Sequence, residues 1–416
     1  MKRIVMAMVV VAAGGAWTAR AGEEGGGAIL ERDTLTGGWF GLGGPLEERG
    51  IAVAVGVTQV FQANTSGGLR TRDGSDQYAG SYDLEVEVDL EALLGLTGGS
   101  LLALAEGSWN EGINDEWVGA LMGVNDDAGG DRSIDLTELY YEQALLDGRL
   151  RVRVGKINLT GGFECRHCPV AFDGNSFAND ETAQFLNGAL VNNPTIPFPD
   201  NGLGVVVHLE PVEGFYLSAG VADADADARE TGFNTAFRGP DNFFSVFEMG
   251  VVQHAALPCG EAPGAYRVGL WYDPQPKERF DGRGVERDDL GFYLSVDQML
   301  HRENGEDGQG LGVFGRFGLA DDAVNEIRTF WSAGARYQGL VPDRDDDVLG
   351  FGVAQGRLSS AADFDSRTET VFELYYNCMI TPWLSVTPDV QVVINPGGGG
   401  AADDAVVLGV RVQVAL

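Results

Sequence analysis

The chain reads as an all-β protein, a transmembrane antiparallel β-barrel of about 16 strands with short turns at one end and long loops at the other. Three observations predict this. Segment after segment alternates apolar and polar residues with a period of two. An apolar N-terminal run has the layout of an export signal. No later window holds the roughly eighteen uninterrupted apolar residues that a spanning helix needs. Glycine, at 61 of 416 residues, suits short strands and turns better than long helices.

The elements follow in order. Lys2 and Arg3 precede the apolar stretch Ile4–Ala16, and Ala19-Arg20-Ala21 supplies small residues at the cleavage positions. Residues 1–21 therefore read as a secretory signal peptide cleaved after Ala21. Residues 22–50 are an N-terminal periplasmic segment with a short helix expected at Pro45–Arg49, and residues 51–416 form one barrel domain. Its first strand carries Ile51, Val53, Val55 and Val57 on one face. The next alternation is the cleanest: Leu84, Val86, Val88 and Leu90 oppose Asp83, Glu85, Glu87, Asp89 and Glu91. Similar runs occur at 150–154, 205–209, 215–221, 290–296, 311–317, 384–392 and 406–416. Turn signals separate them, among them Thr97-Gly98-Gly99, Asn192-Asn193-Pro194 and Asp273-Pro274. A second short helix is allowed within 173–190. A tilted spanning strand takes about 9–11 residues, and with its share of turn and loop about 25, hence about 16 strands.

A period of two does not say which face looks inward. In a soluble sandwich the valines would be core; in a membrane barrel they meet lipid while the acids face a wet lumen. Rows of like charge (Arg149, Arg151, Arg153; Glu85, Glu87, Asp89) favour the lumen. So do the aromatics near strand ends, Tyr140, Tyr141, Trp271, Tyr272, Tyr375, Tyr376 and Trp383, which are expected to form interfacial girdles. The formal net charge of −34 argues against nucleic acid as a partner.

Other chemistry finds little support. In Cys165-Arg-His-Cys168 a haem-attachment reading fails because Pro169 stands where His is required. A zinc site would need two further ligands, and Cys259 and Cys378 are distant, so a structural Cys165–Cys168 disulfide is expected and no metal. Asp223-Ala-Asp225-Ala-Asp227 begins like a calcium loop but lacks Gly at its sixth position and has Asn234 at its twelfth. No G-x-S-x-G, H-E-x-x-H or Walker pattern occurs, so neither catalysis nor a cofactor is expected.

The motifs carry a resemblance. "LTGGWFGLGGPLEERGI" (35–51), "LYYEQALLDGRLRVRVGKI" (139–157), "FANDETAQFLNGALVNNPTIPFP" (177–199), "GLGVFGRFGLA" (310–320), "YQGLVPDRDDDVLGFG" (337–352) and "ELYYNCMITPWLSVTPDVQVVINPGG" (373–398) follow one another as in the carbohydrate-selective porins (OprB family) of Gram-negative outer membranes, which the chain resembles. The resemblance implies a 16-stranded outer-membrane barrel that admits small sugars by passive diffusion. The acidity, the Cys165/Cys168 pair and the final Leu416 in place of Phe depart from the family pattern. A general diffusion channel, a surface-binding barrel and an outer-membrane enzyme are the alternatives. Whether barrels stand singly or as homotrimers stays open.

A neutral sugar is recognised by planar donors, carboxylate acceptors and flat apolar surfaces. Candidate lumen residues are Arg149, Arg151, Arg153, Arg316, Arg336, Glu85, Glu87, Asp89, Asp297, Asp389 and Gln391. The loop at 173–199, with Phe177, Asn179, Gln184, Phe185 and Asn187, is long enough to fold inward and narrow the pore.

Overall fold

A computed structural model describes residues 29–71, 75–160, 172–178, 185–227, 236–237, 242–257, 260–303 and 308–416. The strands are β1 Ile51–Gly68, β2 Asp76–Asp89, β3 Gly99–Trp109, β4 Arg132–Leu145, β5 Leu150–Ile157, β6 Gly202–Val212, β7 Phe215–Asp223, β8 Phe243–Leu257, β9 Gly260–Asp273, β10 Lys277–Glu278, β11 Val285–Glu286, β12 Asp289–Arg302, β13 Gly310–Leu319, β14 Ile327–Gln338, β15 Val348–Leu358, β16 Thr368–Thr381, β17 Leu384–Ile394 and β18 Asp403–Ala415. All but β10 and β11 join one closed barrel, in which each strand pairs with its chain neighbours and β18 returns to β1. β10 and β11 make a hairpin in the β9–β12 connection. Closure removes every unpaired edge, the condition for strands to cross lipid. Turns 146–149, 213–214 and 382–383 share one end with both termini of the barrel, while connections 110–131, 158–201 and 224–242 lie at the other.

Orientation is settled by exposure. Val205, Phe247, Leu270, Leu290, Phe351, Leu374 and Leu408 are exposed on the outer face. Alternating with them, Glu85, His208, Glu248, Asp297, Arg316, Glu373 and Arg411 are buried on the inner one. On β2, Leu84, Val86 and Val88 pair with Val55, Val53 and Ile51 outside, while Glu85, opposite Ala54, looks inward. The apolar exterior is a lipid face, because water would penalise so much contiguous apolar surface. No helix among the described residues is long and apolar enough to cross a membrane.

The aromatic reading needs correcting. Within each of Tyr140-Tyr141, Trp271-Tyr272 and Tyr375-Tyr376 the strand period sends one ring out and one in. Tyr140, Trp271 and Tyr375 are buried inside the barrel. The outward rings tie down their polar tips: Tyr272 Oη donates to Asp288 (2.8 Å), and Trp383 Nε1 donates to the Ile29 carbonyl (2.7 Å).

Helices are short. Near the N-terminus α1 spans Gly37–Gly41 and α2 Gly43–Glu47, so the helix expected at Pro45–Arg49 starts and ends earlier. In α1, Trp39 and Phe40 take left-handed φ of 55° and 57°. Trp39 Nε1 donates to the Val53 carbonyl at 3.0 Å and the Leu35 N–H to that of Ala415 at 2.9 Å, pinning this segment at the β1–β18 seam. α3 (Leu90–Leu94) follows β2, and α4 (Gly188–Val191) falls in the loop where a helix was allowed.

Candidate functional site

Two connections fold into the lumen: 110–131 (loop A) and the described parts of 158–201 (loop B). Loop A contributes Ile113, Trp117, Val118 and Val124, and loop B contributes Phe177, Phe185, Leu190 and Val191, to one apolar cluster with wall residues Phe314, Phe330, Tyr375 and Val393. Burial against the wall is the favourable state for such side chains in a loop that would otherwise stand in water. Inward-facing glycines make room. A Cβ on Gly312 would lie 2.5 Å from the Phe177 ring, and one on Gly352 would lie 2.9 Å from that of Phe185. Phe185 meets Tyr375 edge-on at 5.1 Å between ring centroids.

Main-chain groups entering the lumen need partners, and wall carboxylates supply them. Glu369 accepts the N–H groups of Leu121 and Met122, both at 2.8 Å. Glu373 accepts those of Leu186 (2.7 Å) and Asn187 (2.9 Å). Glu248 accepts the Asp173 N–H at 3.0 Å and the hydroxyls of Tyr216 and Tyr293 at 2.6 and 2.8 Å. Arg316 donates to the Leu190 carbonyl at 2.9 Å and pairs with the Asp173 carboxylate at 3.1 Å. The loops are also joined to each other: the Asp126 N–H donates to the Leu186 carbonyl (2.8 Å), and Asn187 Nδ2 donates to the Gly123 carbonyl (2.7 Å).

The wall of β2–β5 is different. Arg151 Nε donates to Glu142 Oε1 at 2.7 Å, and Arg153 Nη2 reaches Glu142 Oε2 at 3.1 Å. The Arg153 guanidinium lies 4.1 Å over the Tyr140 ring. Arg151 keeps a third of its side chain exposed, and inward-facing Asp83, Glu87 and Glu106 are half-buried. This strip presents donors and acceptors together, with the buried Tyr140 ring beneath Arg153.

The residues singled out from the sequence therefore separate. Arg151, Arg153 and Glu87 stand on the half-open wall, and Glu85 faces inward beside them but is buried. Arg149 does not continue the arginine row: it lies exposed in turn 146–149, where pairing has ended, and its carbonyl accepts from the Glu210 N–H at 2.7 Å. Asp89 is no lumen acceptor either, because it caps α3 by accepting from Glu91 and Ala92 N–H at 2.8 and 3.1 Å. Arg316 and Asp297 are inside but occupied, Asp297 holding Arg267 at 2.6 Å. Gln391 takes Asn187 Nδ2 at 3.0 Å and itself donates to Asp389 at 3.1 Å. Arg336 lies with its guanidinium 5.7 Å from the Phe177 ring. Phe177, Phe185 and Asn187 are buried within the barrel. Asn179, Gln184, Cys165 and Cys168 lie outside the described residues. The sequence reading missed Glu142, Glu248, Glu369 and Glu373. An inward-facing acid on each strand was visible in the alternation, but its partner was not. It also missed loop A, whose buried Ile113, Trp117, Val118 and Val124 were a readable signal in a polar connection.

An apolar-coated closed barrel with a polar bore narrowed by its own loops is the architecture of a porin. Within that class the chain belongs to the carbohydrate-selective porin, OprB family, whose sequence pattern matches residues 73–416. It is 24% identical to Porin B of Pseudomonas aeruginosa over 91% of this chain and 90% of that one. It is 22% identical to the putative porin QuiX of Acinetobacter baylyi over 92% and 93% of the two chains. The fold matches the high-pH structure of Pseudomonas putida OprB with a TM-score of 0.80, at 21% identity, over 94% of this chain and all of that one. The protein is thus a carbohydrate-selective porin of the outer membrane, a channel by family.

Proposed function

We propose that small neutral sugars pass between the paired loops and the half-open wall of β2–β5, touching Arg151, Arg153 and Glu87 on the way. The observation that carries this reading is the Glu142 carboxylate bracketed by two arginines beside an inward aromatic ring. Arg151 N–H groups not used by Glu142 donate to sugar hydroxyls, and Glu87 accepts from them. Each contact replaces one with water, so residence is brief and transit passive. The polypeptide supplies no covalent step. Export depends on cleavage after Ala21, with residues 22–50 left at the periplasmic rim and acyl chains against the outer valines and leucines.

Swelling of liposomes that carry the full-length protein, in a series of sugars of rising size, tests the pathway. Uptake should fall steeply with size, and Arg153→Ala should slow the smallest sugars and shift ion selectivity toward cations. Equal uptake of sugars by both proteins removes Arg153 from the pathway. N-terminal sequencing of the mature protein tests the cleavage point.

A further inference from the structure

We propose that Glu369 and Glu373 are positioning residues: they touch no sugar, yet they set the width of the pore by latching both infolded loops to one strand. The inference rests on the porin reading above. Both acids project inward from β16, four residues and so about 13 Å apart along the strand. Both are buried, with Glu369 at 0% and Glu373 at 1% exposure, out of reach of a solute in the bore. Glu373 spends its two oxygens on the consecutive N–H groups of Leu186 and Asn187 in loop B, while Glu369 accepts those of Leu121 and Met122 in loop A and also that of Gly397 in the β17–β18 connection. A carboxylate is matched to that task because it is all acceptor; an amide of the same shape would turn an NH2 donor toward one of the two N–H groups.

The two latches are not independent. Asp126 and Asn187 sew loop A to loop B. Gln391, on the neighbouring strand, holds Asn187 at 3.0 Å and the Val124 carbonyl of loop A at 2.9 Å. Arg411 and Asp389 are the charged groups that act on Glu373 from β18 and β17. The loops therefore move away from β16 together or stay together, and freeing one latch loosens both.

The test uses the full-length protein in planar bilayers and in liposomes, with thermal unfolding of the barrel followed in parallel. Glu373→Gln should raise single-channel conductance and increase trisaccharide uptake roughly tenfold, the effect of losing one charge-assisted bond in the latched state. The barrel melting temperature should stay near that of the wild type. Glu373→Asp, which keeps both acceptors, should restore part of the size cutoff. Glu369→Gln should act in the same direction, and the double variant should fall short of the product of the single effects. Asn187→Ala leaves both glutamates in place and should widen the pore less; it also serves should the glutamine variants fail to fold. A lowered melting temperature with an unmoved cutoff would mean that the acids only stabilise the barrel, and the proposal falls. An unmoved cutoff in Asn187→Ala as well as in Glu373→Gln also overturns it, and Asn187→Ala alone decides should the glutamine variants fail to fold. A wild-type barrel that passes no sugar would instead sink the porin reading.

Discussion

The β2–β5 wall and the β12–β17 wall come from the same alternation, and they put their inward charges to opposite use. On β4 and β5, Glu142, Arg151 and Arg153 satisfy one another side chain to side chain, and Arg151 stays a third exposed to the bore. On β13 and β16, Arg316, Glu369 and Glu373 are fully covered, and their partners include loop main chain. What separates the two walls is the loops: loops A and B arch over the second wall and leave the first half-bare. An inward charge in this barrel is therefore held by a wall neighbour or by a folded loop, and the course of the loop decides which charges stay near the bore.

The largest break in this comparison should come from Arg316→Ala. Its side chain is fully buried and pairs with Asp173 at 3.1 Å, so its removal strands a buried carboxylate and the Leu190 carbonyl. A loss on the order of 3–5 kcal/mol follows for a buried pair broken on one side. Calorimetric unfolding and proteolysis of loop B should both report it. Intact wild-type stability would mean that the covered wall is held by apolar contact alone. Next in size is Gly352→Val. Its Cβ would meet Leu190 and Phe185 at 2.8 and 2.9 Å, closer than carbon atoms pack. Overpacking of about 1–3 kcal/mol is expected, with loop B shifted off β15 and conductance changed. The same exchange at Gly56 on the open side, where only an Asp83 oxygen stands near at 3.7 Å, should alter neither.

How much of this was legible in the sequence follows from the same contrast. Strand existence, number and sidedness were readable at Leu84–Asp89 because an exact period of two leaves one assignment of faces once lipid lies outside. Arg151 and Arg153 were readable for the same reason, while Arg149 failed because alternation cannot show where pairing stops and a turn begins. The aromatic girdle failed more simply: nearness to a strand end does not fix the face, and the pleat separates Tyr375 from Tyr376 onto opposite faces. The use of Glu369 and Glu373 was not readable at all. Their partners are backbone N–H groups some 190–250 residues away, which carry no residue-specific signal.

The smallest effect, and the sharpest control, belongs to a carboxylate outside both walls. Asp347 closes turn 339–347 at the short-turn end, accepting both Nε and Nη2 of Arg344 at 2.8 Å, the Met379 N–H at 2.9 Å and the Tyr376 hydroxyl. Burial pushes its carboxyl upward, but the Arg344 fork, the Tyr376 hydroxyl and the Met379 N–H outweigh that and hold it below the ordinary range. A carboxylate depressed by folding stabilises the folded state fully above its unfolded value of about 4, and the benefit drains away as pH falls through the lower folded value. Asp347→Asn should therefore cost roughly 1–2 kcal/mol at neutral pH. The gap from wild type should stay flat from about pH 8 to 5 and close toward pH 2. Because Asp347 touches neither loop, sugar cutoff and conductance should not move with it. A stability gap that persisted in acid would show that shape rather than charge holds the turn, whereas a moved cutoff would mean that pore width is not controlled from the covered wall alone.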